Sequence, residues 1–329
     1  MSTITLAPGQ VFRGPNKDYE VSEILRGDGS HISIVAKAAV TPHDDKADQQ
    51  HPRWAVIKLA ASKIAQKGLQ REIVAYALPG VSSARCFRQH YPLESENTMA
   101  LEWLDLTLAN LLYKPSRPVY NIIKAVLHTC LLSYDILADQ KHVNTDIKPA
   151  NILLSTVRTN CKDIIAKVGD LGSDDSALNQ ASRHEADTIE CQPVGMRAPE
   201  VWLHHGCTMA AQVWSVAAMS LVWMKPGFFG EDGEPIISCP EEVEDKDLEQ
   251  TMNDAMAIYT TPKPEEEQLQ EILPFDKEIQ KVNMRHELRS LLLIMLATDP
   301  KKRPSSSDVL ASAEYQAFVK FVDGLYSST

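Results

Sequence analysis

The stretch HVNTDIKPANILL, His142–Leu154, sets Asp146 two residues before Lys148 and five before Asn151, and then turns wholly apolar. These polar groups crowd in front of a buried strand. Downstream, AKVGDLGS (Ala166–Ser173) repeats the arrangement, with a strand-like IIAKV running into Asp170 and Gly172. Two aspartates and an asparagine on loops that leave short strands can hold magnesium, which prefers carboxylate and amide oxygens, and can orient an incoming nucleophile. Phosphoryl transfer is the chemistry that needs this set. Its transition state spreads charge over equatorial oxygens, so the protein mainly positions groups and offsets charge. Lys148 places a positive charge beside the phosphate in flight.

Working outward, the segments YEVSEIL (Tyr19–Leu25), HISIVAKA (His31–Ala38) and RWAVIKLA (Arg53–Ala60) are rich in β-branched or aromatic residues and read as strands. The polar TPHDDKADQQHP between the second and third suits an exposed loop. SKIAQKGLQREIVAYAL, Ser62–Leu78, has helical spacing of Ile64, Leu69, Ile73 and Ala77 and is stopped by Pro79 and Gly80. TMALEWL (Thr98–Leu104) reads as a further strand. Beyond it the chain is mostly helical, with VYNIIKAVLHTCLLSYDILADQ, QVWSVAAMSLVWM and HELRSLLLIMLAT as the clearest segments. A small strand-rich half thus precedes a larger helix-rich one, and the two join near Trp103. Lys58 lies in the third strand and Glu72 on the following helix, 14 residues on. Such a lysine and glutamate can pair and so hold the ammonium on nucleotide phosphates.

In this order and spacing the chain resembles the eukaryotic protein kinase family. The resemblance is carried by Lys58, Glu72, Asp146–Asn151 (D-I-K-P-x-N), Asp170–Gly172 (D-L-G), Ala198–Glu200 (A-P-E) and Asp299–Pro304 (D-P-x-x-R-P), and covers roughly Tyr19 to Phe321. It implies an α+β, bilobal protein kinase-like fold, with a small β-rich N-lobe over 19–103 and a larger α-helical C-lobe over 104–322. Residues 1–18 would form an N-terminal extension and 323–329 a tail. The cofactors implied are ATP and Mg2+. Lys58 would contact the α- and β-phosphates with Glu72 holding it, Asp146 would orient or deprotonate the substrate hydroxyl, and Lys148 would offset charge on the γ-phosphate. Asn151 and Asp170 would carry magnesium. The backbone of Glu102 and Leu104 would bond the adenine edge, with Leu101 at the back of the pocket; Gly27, Gly29 and Val35 belong to the strand-loop-strand that covers the phosphates. Glu200 would pair with Arg303. Arg197 before Ala198, with the TDIKPANILL wording, is closest to SR-protein kinase-like members of the serine/threonine type.

The chain also departs from the family pattern. In RGDGSHISIV, Asp28, Ser30 and Ser33 stand where three glycines are usual, with Gly27 and Gly29 one residue early. A Cβ limits backbone approach to phosphate. Asn144 and Thr145 replace the usual histidine and arginine, Gln212 replaces an aspartate, and Pro193 stands where a threonine is usual. Two functions follow for test: a serine/threonine protein kinase, or a pseudokinase that binds a nucleotide or partner without useful turnover. A kinase-fold enzyme acting on small molecules is disfavoured by Ala198–Glu200 and Arg303, which build a peptide-docking segment.

The bulk properties fit this reading. A formal net charge of -11 argues against binding nucleic acid or an anionic membrane and is compatible with a basic or Arg/Ser-rich protein substrate. Six cysteines lie far apart, without metal-site spacing, and read as reduced thiols of an intracellular protein, cytoplasmic or nuclear. The apolar run Val213–Met224 is shorter than the ~20 helical residues a bilayer requires and reads as a core helix.

Overall fold

The computed structural model describes residues 6–26, 33–43, 52–155, 164–176, 192–202, 206–226, 228 and 279–327. The chain divides into two compact units: Met1–Asp105 with Gly169–Asp174, and Leu106–Val168 with Asp175–Thr329. The architecture is α+β.

Among the described residues, the first unit is an antiparallel sheet of six strands with one α-helix. The strands are β1 (Val11–Arg13), β2 (Lys17–Arg26), β3 (Ile34–Pro42), β4 (Trp54–Leu59), β5 (His90–Tyr91) and β6 (Thr98–Glu102), in the spatial order β1-β2-β3-β4-β6-β5. β1 and β5 are short strands that the sequence reading passed over. β4 is central, and this explains why WAVIKL is buried from Ala55 through Leu59 rather than alternating. Tyr19, Val21, Ile34, Ala36, Ala38, Ala55, Ile57, Leu59 and Ala100 form one packed core. Register fixes what stands beside what: Val35 pairs with Lys58, and Lys58 with Met99.

Helix α1 (Lys63–Ala77) begins at Ser62, whose Oγ accepts from the Ala65 backbone N–H at 3.2 Å. Its buried stripe runs through Ala65, Leu69, Glu72 and Tyr76, while Ala77 is exposed. The apolar spacing had pointed to Ile73 and Ala77, one residue further on. A carboxylate turned inward accounts for the offset, because hydrophobic periodicity does not register a buried charge.

The second unit is helical with a small antiparallel sheet. Helix α2 (Arg117–Asp139) is by length and composition apolar enough to cross a membrane, but 61% of its most apolar window is buried inside the fold. It packs as a core helix against α4 (Met209–Met224), which follows the short α3 (Pro199–Trp202), and against the C-terminal helices α6 (Ser306–Ala311) and α7 (Ala313–Ser327). α5 (His286–Met295) packs on α7 and α4. α4 is buried almost all round, with Trp214 the largest fully enclosed side chain among the described residues. The sheet pairs β7 (Leu106–Thr107) and β10 (Ala166–Val168) to either side of β9 (Ile152–Leu154), and β8 (His142–Asn144) leads into the loop before it.

Candidate active site

The first unit carries one cluster of the residues singled out above. Lys58 on β4 and Glu72 on α1 are both buried, at 6% and 3% exposure. Lys58 Nζ donates to both Glu72 carboxylate oxygens at 2.8 Å and to Asp170 Oδ1 at 3.1 Å. All three ammonium protons are therefore committed to acceptors. Burial works against charge on both members of the pair, but the Glu72 and Asp170 carboxylates together hold the Lys58 ammonium above its ordinary range. Asp170 takes a left-handed backbone with φ +58°, a conformation that costs a non-glycine residue of order 1 kcal/mol or more. The Arg26 guanidinium lies 4.0 Å from its other oxygen.

Val35 and Leu101 are buried in the sheet, and Leu104 is half-buried. Gly27 and Gly29 lie outside the described residues. Two cations near the end of β6 were missed in the sequence. Arg88 Nε donates to the Glu102 carbonyl at 2.6 Å. Lys37 Nζ sits 4.4 Å from the Trp54 ring centre and 4.3 Å from that of Trp103, a cation between two aromatic faces. The basic residue directly after the apolar Cys86 and Phe87 was the available signal for Arg88; a strand lysine gave none for Lys37.

The second unit carries the other cluster. β8 delivers the chain to Asp146, a single turn at Pro149–Asn151 follows, and β9 anchors the far end. Lys148 Nζ donates to both Asp146 carboxylate oxygens at 2.8 and 2.7 Å. Asn151 Nδ2 donates to the Asp146 backbone carbonyl at 2.8 Å and to Oδ2 at 3.0 Å. With its nitrogen so committed, the Asn151 amide offers its oxygen as the remaining donor to a cation. An amide oxygen is a ligand type that fits magnesium, as is the carboxylate that Asp170 carries in the first unit.

The loop is braced by neutral groups. Asp146 N–H donates to Asn144 Oδ1 at 2.9 Å, and Asn144 N–H donates to Gln212 Oε1 at 2.7 Å, with Asn144 and Gln212 both fully enclosed. Asn144 Nδ2 is buried with no partner among the described residues. The substituted residues thus brace each other. Gln212→Ala would leave a buried backbone N–H unmet, and chemical denaturation is expected to show a loss of ~1–3 kcal/mol; an unchanged midpoint would mean that another acceptor takes over.

Ahead of α3, Gln192 has φ +66° and is buried. Its Oε1 accepts from Ala198 N–H at 2.9 Å, its Nε2 donates to the Ala211 carbonyl at 3.2 Å, and its own carbonyl accepts from Arg197 Nη2 at 2.9 Å. Pro193 follows directly on this pinned residue. Glu200 on α3 receives a forked bond from Arg303, at 2.6 and 3.1 Å, and Arg303 further donates to the carbonyls of Ala210 and Ala297. Such a pair is buried, fully bonded and specific in geometry.

The sequence model of the protein kinase domain matches residues 47–314. No curated protein matches the chain.

Proposed function

The chain belongs to the protein kinase domain family, and from that premise we propose that it transfers the γ-phosphate of ATP to serine or threonine hydroxyls of protein substrates. The observation that carries the reading is the survival of every charged group the transfer needs, each held by named partners. Lys58, fixed by Glu72, binds the α- and β-phosphates once its bond to Asp170 is exchanged for them. Asp170 and Asn151 would be the residues that hold magnesium, and the ion would supply positive charge to the phosphate oxygens. The substrate hydroxyl attacks the γ-phosphorus, forming the new O–P bond as the bond to the β-phosphate oxygen breaks. ADP leaves, and the hydroxyl proton passes to Asp146. Lys148, bonded to Asp146, offsets charge on the moving phosphoryl group.

The wording around Asp146 and Arg197 favours an SR-protein kinase-like member. A basic or Arg/Ser-rich substrate suits the net charge of -11. An intracellular location, cytoplasmic or nuclear, goes with that substrate class.

A second reading, a pseudokinase, draws support from one observation. Both oxygens of Asp146 are engaged by Lys148, so the base must shed a bond before it can take a proton. Thermal melting with saturating Mg-ATP, together with phosphate incorporation into an Arg/Ser-rich protein, separates the two. A ligand present at ~100 times its dissociation constant stabilises the fold by about 2.7 kcal/mol. The kinase reading expects both this shift and turnover, and Asp170→Ala is expected to lose the turnover. A shift without turnover is the pseudokinase outcome, and no shift defeats both nucleotide-binding readings.

A further inference from the structure

A bulge in β2 decides which face of the sheet Arg26 stands on. Ile24 pairs with Ala36, and the next pair is Arg26 with Val35, so Leu25 is an extra residue inserted between them. Paired residues share a face, and successive residues alternate. Ala36, Ala38, Ala55 and Ile57 belong to the packed core on one face, so the paired Val35 and Lys58 lie on the other. An unbroken ladder would set Leu25 against Val35 and return Arg26 to the core face. The bulge instead puts Arg26, the last residue of β2, in one row with Val35 and Lys58. Its guanidinium reaches the carboxylate that Lys58 also holds. Asp170 Oδ1 is 3.1 Å from Lys58 Nζ, and Oδ2 is 4.0 Å from Arg26 Nη2. Little ties the arginine there, because its side chain is 61% exposed and it makes no hydrogen bond among the described residues. Lys58, by contrast, donates twice to Glu72 and once to Asp170, and so has a single proton to give to a ligand while Glu72 holds it.

We infer that Arg26 is a second cation for the nucleotide phosphates, beside Lys58. The inference rests on the nucleotide reading above. In sequence, Asp28, Ser30 and Ser33 stand where glycines would let backbone N–H groups approach phosphate, and Asp28 adds a negative charge. A site short of amide donors needs others. The guanidinium is a planar fork of N–H donors that matches phosphate oxygens bidentately and stays charged at any working pH. In the unliganded chain the Asp170 carboxylate lies between the two cations, one oxygen to each, as an anionic ligand would. When a nucleotide enters, Arg26 exchanges this loose contact for phosphate oxygens, and no strong bond has to be broken first.

The test titrates the full chain by calorimetry with Mg-ATP, with ATP in the presence of a chelator, and with adenosine, and follows melting shifts alongside. Arg26→Met removes the charge and is expected to weaken Mg-ATP binding by ~10–100-fold, the worth of one charge-assisted hydrogen bond. Metal-free ATP is expected to weaken by a similar factor, and adenosine, which has no phosphate, by less than ~2-fold. Arg26→Lys, which keeps the charge without the fork, is expected to fall between wild type and Arg26→Met. Should Arg26→Met not fold, Arg26→Gln takes its place with the same expectations. Unchanged or tighter Mg-ATP binding in the uncharged variant overturns the inference, because the arginine is then only a counter-charge for Asp170. An equal loss for adenosine overturns it too, since the effect then lies on the base or the fold. A wild type that binds adenosine as tightly as Mg-ATP sinks this inference alone, whereas a wild type that binds none of these ligands loses the nucleotide site and the inference with it.

Discussion

Asp146→Asn is expected to lower phosphoryl transfer on the order of 10³-fold, the range a positioned general base contributes, while leaving the fold nearly as stable as before. The amide keeps the shape of the carboxylate and its bond from Asn151, but it cannot take the hydroxyl proton. Lys148 meanwhile loses the charge that holds it. The Asp146–Lys148 pair is part-exposed, with 21% and 38% of the two side chains open to solvent. Its loss therefore costs no more than ~1 kcal/mol of stability after screening. Turnover assays and denaturation curves run on the same preparations check both halves. Equal turnover in the two proteins would show that the measured activity does not come from this site.

Trp214→Ala is expected to have the opposite profile, a loss of ~3–5 kcal/mol of stability from removed burial and the cavity left behind. The ring is 1% exposed at the centre of the second unit. It also backs the Arg303 guanidinium, 5.1 Å from the ring centre, so its removal loosens the fork that Arg303 extends to Glu200. A fall in denaturation midpoint equivalent to less than ~1 kcal/mol would mean that the surrounding helices collapse to fill the space.

Much of the fold was legible because period and composition report burial. The central strand WAVIKL, the Ser62 helix start and the all-round apolar α4 each announce themselves in one dimension. The α1 stripe did not, because Glu72 is buried by its bonds to Lys58 and hydrophobic spacing is blind to such a residue. The same holds at the site. The motifs named Lys58, Glu72, Asp146, Lys148, Asn151 and Asp170, and the structure gives each its bonding partners, Lys58 on β4 and Glu72 on α1, Asn151 in a single turn, and Asp146, Lys148 and Asp170 on loops. Arg88 and Gln192 went unnoticed because their importance lies in side-chain bonds to distant backbone atoms, and no spacing rule encodes those. Gln192 even adopts a positive φ that would have suggested glycine.

The brace of Asn144 and Gln212 beneath Asp146 is made of two amides. Neither gains or loses a proton anywhere in the range a cell visits, so these contacts add nothing to the proton uptake that couples folding to acidity. Nor does either carry net charge for dissolved salt to screen. These two contacts are thus indifferent to both pH and ionic strength, unlike the part-exposed Lys148 ammonium that pairs with the Asp146 carboxylate. An acidity or salt dependence of the transfer does not originate in the amide brace.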